Sequence, residues 1–185
     1  MRLSAIEKPS SPLGRVLDFA IRRTLGRSIT PAQVIYNRVP AAWRISLAFQ
    51  LFERFGAKLP HDLLLLVSTQ VAMLNGCEFC ADIKRAVAVR GKLGMERFDA
   101  LADWRSHSGW SDRERAAFAY VEEATLTKHV ADATFAELRR RFDDREIAEL
   151  TLANAIENFY NLLNLPLEVE SDELEILALA DQARR

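Results

Sequence analysis

The sequence predicts an all-α protein, a single-domain bundle of helices, and three observations lead to that fold class. Only seven Gly and six Pro occur in 185 residues, which is too few for the many turns of an all-β fold. No segment alternates apolar and polar residues over the length of a strand. Proline and capping residues instead precede segments in which apolar residues recur every three or four positions, as they do along one side of a helix.

The first predicted helix is amphipathic and runs from Leu13 to Leu25, after an irregular lead over residues 1–10. Its apolar side would carry Val16, Phe19, Ala20 and Ile21, with three arginines on the other side. Proline at or near the first helical position then marks three further helix starts, at Pro31, Pro40 and Pro60. The helix from Pro40 is predicted to end at Gly56, and the helix from Pro60 at Asn75-Gly76.

The remaining helices are predicted from breakers and capping signatures. One runs past Cys80 to Gly91, and a shorter one covers Met95–Trp104. Capping-box patterns open the next three, at Ser111-x-x-Glu114, Thr134-x-x-Glu137 and Asp143-x-x-Glu146, and a last short helix follows Ser171. The predicted organisation is an N-terminal arm and amphipathic helix over residues 1–34, a helical domain over 35–170 and a C-terminal helix over 171–185.

One predicted helix is apolar on all sides, because it contains the run Leu63-Leu64-Leu65-Leu66-Val67. Such a helix lies either in the middle of a bundle or at a subunit interface. An interface would bury it more easily in a chain of this size, so a homo-oligomer is expected.

Charge and hydropathy exclude several classes of partner. The formal net charge of −1 gives no electrostatic reason to expect nucleic acid or an anionic membrane. The longest apolar run is far shorter than the roughly 20 residues that a bilayer span requires. The N-terminal residues also lack the pattern of a secretion signal, so a cytoplasmic location is expected.

The only two cysteines, Cys77 and Cys80, are separated by two residues at the predicted start of a helix. Thiols at this spacing can close a disulfide with little backbone movement, and a helix N-terminus stabilises a thiolate. A redox pair is therefore the favoured interpretation. Incidental thiols, and half of a zinc site completed by a neighbouring chain, are the alternatives. No cofactor and no resident metal are expected.

The segment Leu66-x-x-x-x-Val71-x-x-Leu74-Asn75-Gly76-Cys77-Glu78-Phe79-Cys80 resembles the carboxymuconolactone decarboxylase-like superfamily, in its alkyl hydroperoxidase D-like branch. Later segments, Trp110–Tyr120, Phe142–Thr151 and Ile156–Asn161, resemble further helices of the same branch. The likeness covers roughly residues 35–170. It implies an all-helical domain that associates as trimers or hexamers.

The resemblance also implies roles for the cysteines. Cys80 would attack a peroxide or disulfide as the nucleophile, and Cys77 would close the disulfide, after which an unidentified dithiol would restore both thiols. The family places a proton relay of Glu and His around this pair, at positions that here hold Leu65 and Lys84. Lys84 lies one helical turn from Cys80, and its charge would favour the thiolate.

Three functions follow from these residues. The first is a thiol-dependent peroxidase or dithiol–disulfide oxidoreductase that uses Cys80, Cys77 and Lys84. The second is a non-catalytic member of the family that senses redox state or binds a small molecule, favoured by the replaced relay positions. The third is decarboxylase or lactone chemistry on an organic acid, for which the available cations are Arg44, Lys84, Arg85 and Arg90.

Other polar residues near these motifs have simpler interpretations. His61 is expected to be a solvated residue in the first turn of its helix. Glu78 and Asp82 are acids that the helix dipole favours at this position. Glu157 and Asn158 lie within an apolar stretch, so they either line a pocket or form hydrogen bonds between helices.

Overall fold

Helices account for all regular secondary structure in residues 1–184, the part of the chain that the computed structural model describes. The α-helices are α1 (Pro12–Leu25), α2 (Ala41–Leu51), α3 (His61–Leu74), α4 (Glu78–Arg90), α5 (Met95–Asp99), α6 (Asp112–Leu126), α7 (Asp132–Arg141), α8 (Asp144–Asn164) and α9 (Leu174–Ala183). Short π-helical turns cover Ala32–Tyr36 and Phe52–Gly56, and 3₁₀ turns cover Ala100–Asp103 and Leu165–Leu167. The predicted all-α fold class is confirmed. Arg185, the last residue of the predicted C-terminal segment, lies outside the described residues.

Two of the three predicted capping boxes are present. Ser111 with Glu114 opens α6, and Asp143 with Glu146 opens α8, each through reciprocal hydrogen bonds. The box predicted at Thr134 is wrong, because α7 already begins at Asp132.

The reason for the earlier start of α7 is a contact with α6. The carboxylate of Glu123 accepts a hydrogen bond from the backbone N–H of Ala131 at 2.8 Å and from the Thr134 hydroxyl at 2.6 Å. The Thr134 hydroxyl is therefore bonded to a neighbouring helix, and the helix start is held by a long-range partner.

The central helix of the bundle is α3, which packs against α4, α6 and α8. All ten residues from Leu63 to Ala72 are buried within one chain. Full burial of one such leucine or valine side chain stabilises the fold by about 1.5–3 kcal/mol. Of the two positions expected for this helix, the middle of a bundle is the one observed, since the surrounding helices of the same chain cover residues 63–72.

The core has two parts. One is formed mainly by α3, α6 and α8 and contains Leu65, Phe118 and Leu150. The other is formed by residues of α4, α9 and the N-terminal segments, and it contains both Cys77 and Cys80. The cysteine pair therefore lies inside the protein, in an apolar environment.

Helix α1 covers the second core with a side that shares only Ile21 with the predicted one. Its partly buried residues Leu13, Leu17 and Ile21 pack against that core. Val16 and Phe19, predicted on the apolar side, are 64% and 70% exposed. The periodicity located the helix, but α1 is apolar on more than one side, and packing decided which side faces inward.

Candidate active site

A sharp turn between α3 and α4 presents the cysteine pair. Helix α3 ends at Leu74, and Gly76 adopts a left-handed backbone with φ of 69°. This conformation is accessible to glycine without steric cost. Cys77 is then the N-cap of α4, which begins at Glu78. The predicted position of the pair, between the end of one helix and the start of the next, is confirmed.

The turn is fastened to α8 by an asparagine cluster. The side-chain amide of Asn75 donates to Oδ1 of Asn158 at 3.0 Å and to Oδ1 of Asn161 at 2.7 Å. Asn158 in turn donates to the backbone and side-chain oxygens of Asn154. These bonds fix the turn relative to α8, the helix that supplies other polar groups of the site.

The two cysteines differ in their surroundings. Both are 2% exposed, and in the structure their sulfur atoms are bonded to each other, with Cα atoms 5.2 Å apart. Nδ2 of Asn164 lies 3.3 Å from Sγ of Cys80 and donates a hydrogen bond to it. When the bond is reduced, an N–H aimed at this sulfur favours its thiolate form.

A cavity of about 740 Å³ opens onto this site, and Cys80 lines it, whereas Cys77 is not among the lining residues. Much of the wall is apolar and comes from α1, α4 and the loops beside them. Representative apolar lining residues are Leu17, Ile21, Ile29, Phe79, Ile83 and Val87. The polar lining includes Ser46, Glu53, Lys84, Glu157, Tyr160 and Asn164. This volume and composition are typical of small-molecule sites.

Lys84 lies in the cavity wall between two carboxylates. Its Nζ is 3.3 Å from Oε2 of Glu157 and 3.5 Å from Oε1 of Glu53. Burial opposes the ammonium form, but the two carboxylates outweigh it and raise the pKa of Lys84 above its ordinary value. Lys84 therefore stays charged near neutral pH and does not release a proton there.

Glu157 is fully buried in the middle of α8. Its Oε1 accepts a hydrogen bond from Nδ2 of Asn161 at 2.8 Å. Its Oε2 is paired with the ammonium of Lys84 at 3.3 Å. Burial raises the pKa of Glu157, although Lys84 and Asn161 act in the opposite direction. Both carboxylates contact the same ammonium, and Glu157 is the more deeply buried of the two.

Leu65, which occupies a relay position of the family pattern, is not part of the site. Leu65 lies in the other part of the core and is not among the residues that line the cavity. The carboxylates in the cavity come from Glu157 on α8 and from Glu53 in the π-helical turn. The sequence indicated Glu157 as a polar residue in an apolar stretch, but no sequence signal pointed to Glu53.

Tyr160 and Ser46 were also not predicted as site residues. Their hydroxyl oxygens are 3.2 Å apart, and both residues line the cavity. Burial raises the pKa of the Tyr160 phenol, so it is neutral near pH 7. The pair therefore offers neutral hydrogen-bonding groups beside the charged cluster.

The remaining predicted residues lie elsewhere or have structural roles. His61 is exposed in the first turn of α3, as expected, and contributes to the lining of the cavity. Asp82 caps α9 by accepting hydrogen bonds from the backbone N–H groups of Leu174 at 2.9 Å and Glu175 at 2.8 Å.

The cations proposed for an organic acid are not brought together. Arg85 forms an ion pair with Glu175, and Arg90 with Asp181, both on α9. Neither they nor Arg44 line the cavity, so Lys84 is the one member of that set at this site.

Within residues 1–184 no group of three or more His, Cys, Asp or Glu side chains could hold a metal ion. No helix in this described range is long and apolar enough to cross a bilayer.

Solved structures with the same arrangement of helices define the class of fold. The debrominase Bmp8, with one cysteine replaced by alanine and in complex with 2,3,4-tribromopyrrole, superposes with a TM-score of 0.82 at 16% identity, over 98% of this chain and 97% of that one. An uncharacterised peroxidase-related protein from Ralstonia eutropha, described as an alkylhydroperoxidase AhpD core, gives a TM-score of 0.76 at 16% identity, over 93% and 95% of the two chains. The fold is therefore that of the AhpD-like helical proteins.

Sequence comparison identifies the family. Residues 39–123 match the carboxymuconolactone decarboxylase family. The uncharacterised protein YnjA of Escherichia coli is 30% identical over 155 residues, which cover 83% of this chain and 85% of YnjA. The chain belongs to the carboxymuconolactone decarboxylase family, and the resemblance seen in its motifs is confirmed.

Proposed function

We propose that this protein is a thiol-dependent reductase of small organic peroxides, with Cys80 as the attacking thiolate and Cys77 as the thiol that closes the disulfide. The observation that carries the proposal is the asymmetry of the pair. Cys80 lines the cavity and accepts the N–H of Asn164, while Cys77 is the N-cap of α4 and is not among the lining residues. A substrate in the cavity would therefore meet Cys80.

The proposed reaction has three steps. The Cys80 thiolate attacks one oxygen of the peroxide, so that an S–O bond forms, the O–O bond breaks and an alkoxide leaves to be protonated. The Cys77 sulfur then attacks the Cys80 sulfenic acid, the S–O bond breaks, and water leaves with the thiol proton as the disulfide forms. A dithiol reductant finally reduces this disulfide by thiol–disulfide exchange and is itself oxidised to a disulfide.

The apolar wall of the cavity favours an organic peroxide over hydrogen peroxide as the substrate. Side chains such as Ile21, Phe79 and Ile83 can bury an alkyl or aryl group. Each Å² of apolar surface removed from water contributes about 25 cal/mol. Hydrogen peroxide has no such surface. Membership of the family, together with the peroxidase-related structural neighbour, supports the same reaction type.

Cysteine variants test this proposal. We expect Cys80→Ser to abolish turnover of cumene hydroperoxide in the presence of dithiothreitol. Without added thiol, the reduced Cys77→Ser variant should consume one peroxide per subunit and stop as a sulfenic acid, which dimedone traps and mass spectrometry detects. Turnover by Cys80→Ser equal to that of the wild-type protein would refute the proposal. The Cys77→Ser variant is its matched control, because it removes a thiol of equal burial from the same turn.

A second candidate function is reductive removal of a halogen from an aromatic ring at the same cysteine. The debrominase Bmp8 matches 98% of this chain, and the apolar cavity here could hold a halogenated ring. In this reaction Cys80 would take the halogen, the ring carbon would gain a proton, and Cys77 would displace halide as the disulfide forms. Release of bromide from 2,3,4-tribromopyrrole with dithiothreitol, absent in Cys80→Ser, is the measurement that would support it.

A further inference from the structure

One side of α1 faces the cavity that Cys80 lines. Five residues of this helix contribute to the wall, at spacings of three and four positions that place them on the same side: Leu17, Ala20, Ile21, Thr24 and Leu25. The inward side of a surface helix ordinarily packs against neighbouring side chains at the density of an organic crystal. Here much of that side borders a cavity of about 740 Å³, so α1 presents apolar surface to whatever the cavity binds.

This side of α1 extends from the mouth of the cavity to its interior. Ala20 and Thr24 are exposed, Leu17 and Ile21 are partly buried, and Leu25 is buried. The charged residues of α1 do not line the cavity, whose charged lining comes instead from α3, α4, α8 and the π-helical turn. The wall formed by α1 is therefore uncharged from mouth to interior.

Apolar contacts hold α1 in place. Within residues 1–184 no hydrogen bond or ion pair joins α1 to another helix, although it packs against α2 and α9. Its longer polar side chains bond close by, since Arg22 contacts Asp18, Ser28 donates to Asp18, and Arg15 donates to the carbonyl of Pro9. An apolar group that packs against α1 thus breaks no hydrogen bond between helices.

We propose that α1 forms the binding site for the organic group of the substrate, with Leu17 and Ile21 as its specificity-determining residues. The peroxide end then meets Cys80, while an alkyl or aryl group packs against α1. The reverse orientation is unfavourable, because an apolar group beside Lys84 and Glu157 would remove water from them without replacing its hydrogen bonds. The inference rests on the proposed peroxide reduction and assigns the part of the protein that selects the peroxide.

Selection and chemistry then lie on different segments of the chain. Residues 39–123, which match the family, contain both cysteines and Lys84 but not α1. A change in α1 should therefore alter which peroxides react without altering the thiol that attacks them.

The test compares two peroxides that share the reacting group and differ in the organic group. Cumene hydroperoxide carries a bulky apolar group, and hydrogen peroxide carries none. We expect Ile21→Ala to slow the oxidation of reduced Cys80 by cumene hydroperoxide about tenfold or more, because apolar contact with the bound substrate is lost. Oxidation by hydrogen peroxide should change by less than about twofold. The readout is loss of free thiol in a single turnover of the full chain.

Val16→Ala is the matched control, because Val16 is an apolar residue of α1 that is 64% exposed and does not line the cavity. It should leave both rates unchanged, with folding verified by circular dichroism. If Ile21→Ala does not fold, Ala20→Trp tests the same site from the exposed mouth of the cavity. The added ring narrows the cavity and should slow cumene hydroperoxide about tenfold more than hydrogen peroxide.

Three outcomes decide the inference. A selective loss with cumene hydroperoxide would support it. Equal slowing with both peroxides would mean that α1 merely holds the site in shape, and no slowing would mean that the organic group binds elsewhere; either result overturns it.

Alkylation separates this inference from the proposed function, because it requires no peroxide chemistry. Ile21→Ala should slow alkylation of reduced Cys80 by N-phenylmaleimide about tenfold and by N-methylmaleimide less than about twofold. That contrast, in a protein whose Cys80 reacts with neither peroxide, would overturn the proposed function and leave the binding site on α1 supported. Peroxide turnover without either contrast would overturn the site on α1 alone.

Discussion

At the scale of single residues, the sulfur of Cys80 is distinguished by a buried hydrogen bond that it accepts. Asn164 donates to Sγ of Cys80 from the last turn of α8, and Asn164 is itself 3% exposed. A buried hydrogen bond to a charged group contributes about 1.5–3 kcal/mol. This contact therefore favours the thiolate of Cys80 over its thiol, and it does so from a helix distant in sequence.

Removing this donor should make Cys80 less reactive. We expect Asn164→Ala to slow alkylation of reduced Cys80 by iodoacetamide at pH 7 about tenfold, because less of the thiol is ionised. Mass spectrometry of quenched samples gives the rate. Leu162→Ala, a change at an exposed residue of the same helix that does not line the cavity, should react at the wild-type rate. A rate for Asn164→Ala equal to both would show that this hydrogen bond does not tune the thiol.

At the scale of elements, two buried or partly buried acids join segments that are far apart in the chain. Glu149 of α8 accepts hydrogen bonds from the backbone N–H groups of Lys58 at 2.8 Å and Leu59 at 2.9 Å, and from Nε of Arg145 at 2.8 Å. Asp82 of α4 holds the first turn of α9. Both are carboxylates that satisfy backbone donors which would otherwise lack a partner.

The Glu149 contact predicts a pH-dependent loss of stability. Burial alone would raise the pKa of Glu149, but the hydrogen bonds from Arg145 and the two backbone N–H groups outweigh it and lower it below 4.5. A group with a lowered pKa in the folded state stabilises the protein above its unfolded-state pKa, and this stability is lost as the pH falls through the folded value. We expect Glu149→Gln to reduce the free energy of unfolding by about 1–3 kcal/mol at pH 7.

Urea denaturation at pH 7 and at progressively lower pH measures this difference between wild type and variant. The difference should shrink once the pH falls below the ordinary glutamate value of 4.5, where the wild-type carboxylate begins to be protonated. A difference that stays constant down to acid-induced unfolding would mean that the charge of Glu149 contributes nothing.

The Asp82 contact predicts that the start of α9 can be destabilised while the rest of the bundle keeps its stability. We expect Asp82→Ala to destabilise the start of α9 by about 0.5–2 kcal/mol, the usual cost of a lost helix cap. Amide hydrogen exchange in residues 174–183 should become faster, while exchange in α3 stays slow. Asp181→Ala is the control at the other end of the same helix, because its ion pair with Arg90 at 3.0 Å is partly exposed and contributes little. Unchanged exchange at the start of α9 in Asp82→Ala would contradict this role.

At the scale of the whole molecule, the surface of one chain retains large exposed apolar side chains although residues 63–72 of α3 are buried. Phe19 on α1 is 70% exposed, Phe55 in the π-helical turn is 74% exposed, and Leu162 on α8 is 71% exposed. Exposed apolar side chains of this size are frequent at subunit interfaces. These exposed side chains, and not the central helix α3, are the reason to expect self-association.

We expect the protein to assemble as a trimer or hexamer of 21.0 kDa chains in solution. Light scattering after gel filtration measures the mass directly. The double variant Phe19→Ser with Phe55→Ser should lower that mass without changing the helical content, because it removes apolar area that a partner would cover. A wild-type mass of one chain at all concentrations would contradict the expectation.

The sequence by itself determined the fold class, most helix boundaries and the place of the cysteine pair, because these depend on local interactions. Apolar periodicity, proline at helix starts and the capping boxes at Ser111 and Asp143 act over a few residues. Gly76 is likewise a local signal, since few other residues accept its backbone conformation. A pattern within about ten residues is sufficient to predict such features.

Only the tertiary structure decided which side chains meet around Cys80. The contacts of Lys84 with Glu53 and Glu157, and of Asn164 with Cys80, join residues 31 to 84 positions apart, and no local pattern specifies such pairs. Packing also placed Leu65 in the other part of the core, away from the cavity. A helix that is apolar on all sides can turn any side toward the cavity, so its sequence does not predict this. The candidate site therefore depends on how the helices are arranged, because that arrangement brings Glu157, Lys84 and Cys80 to one cavity.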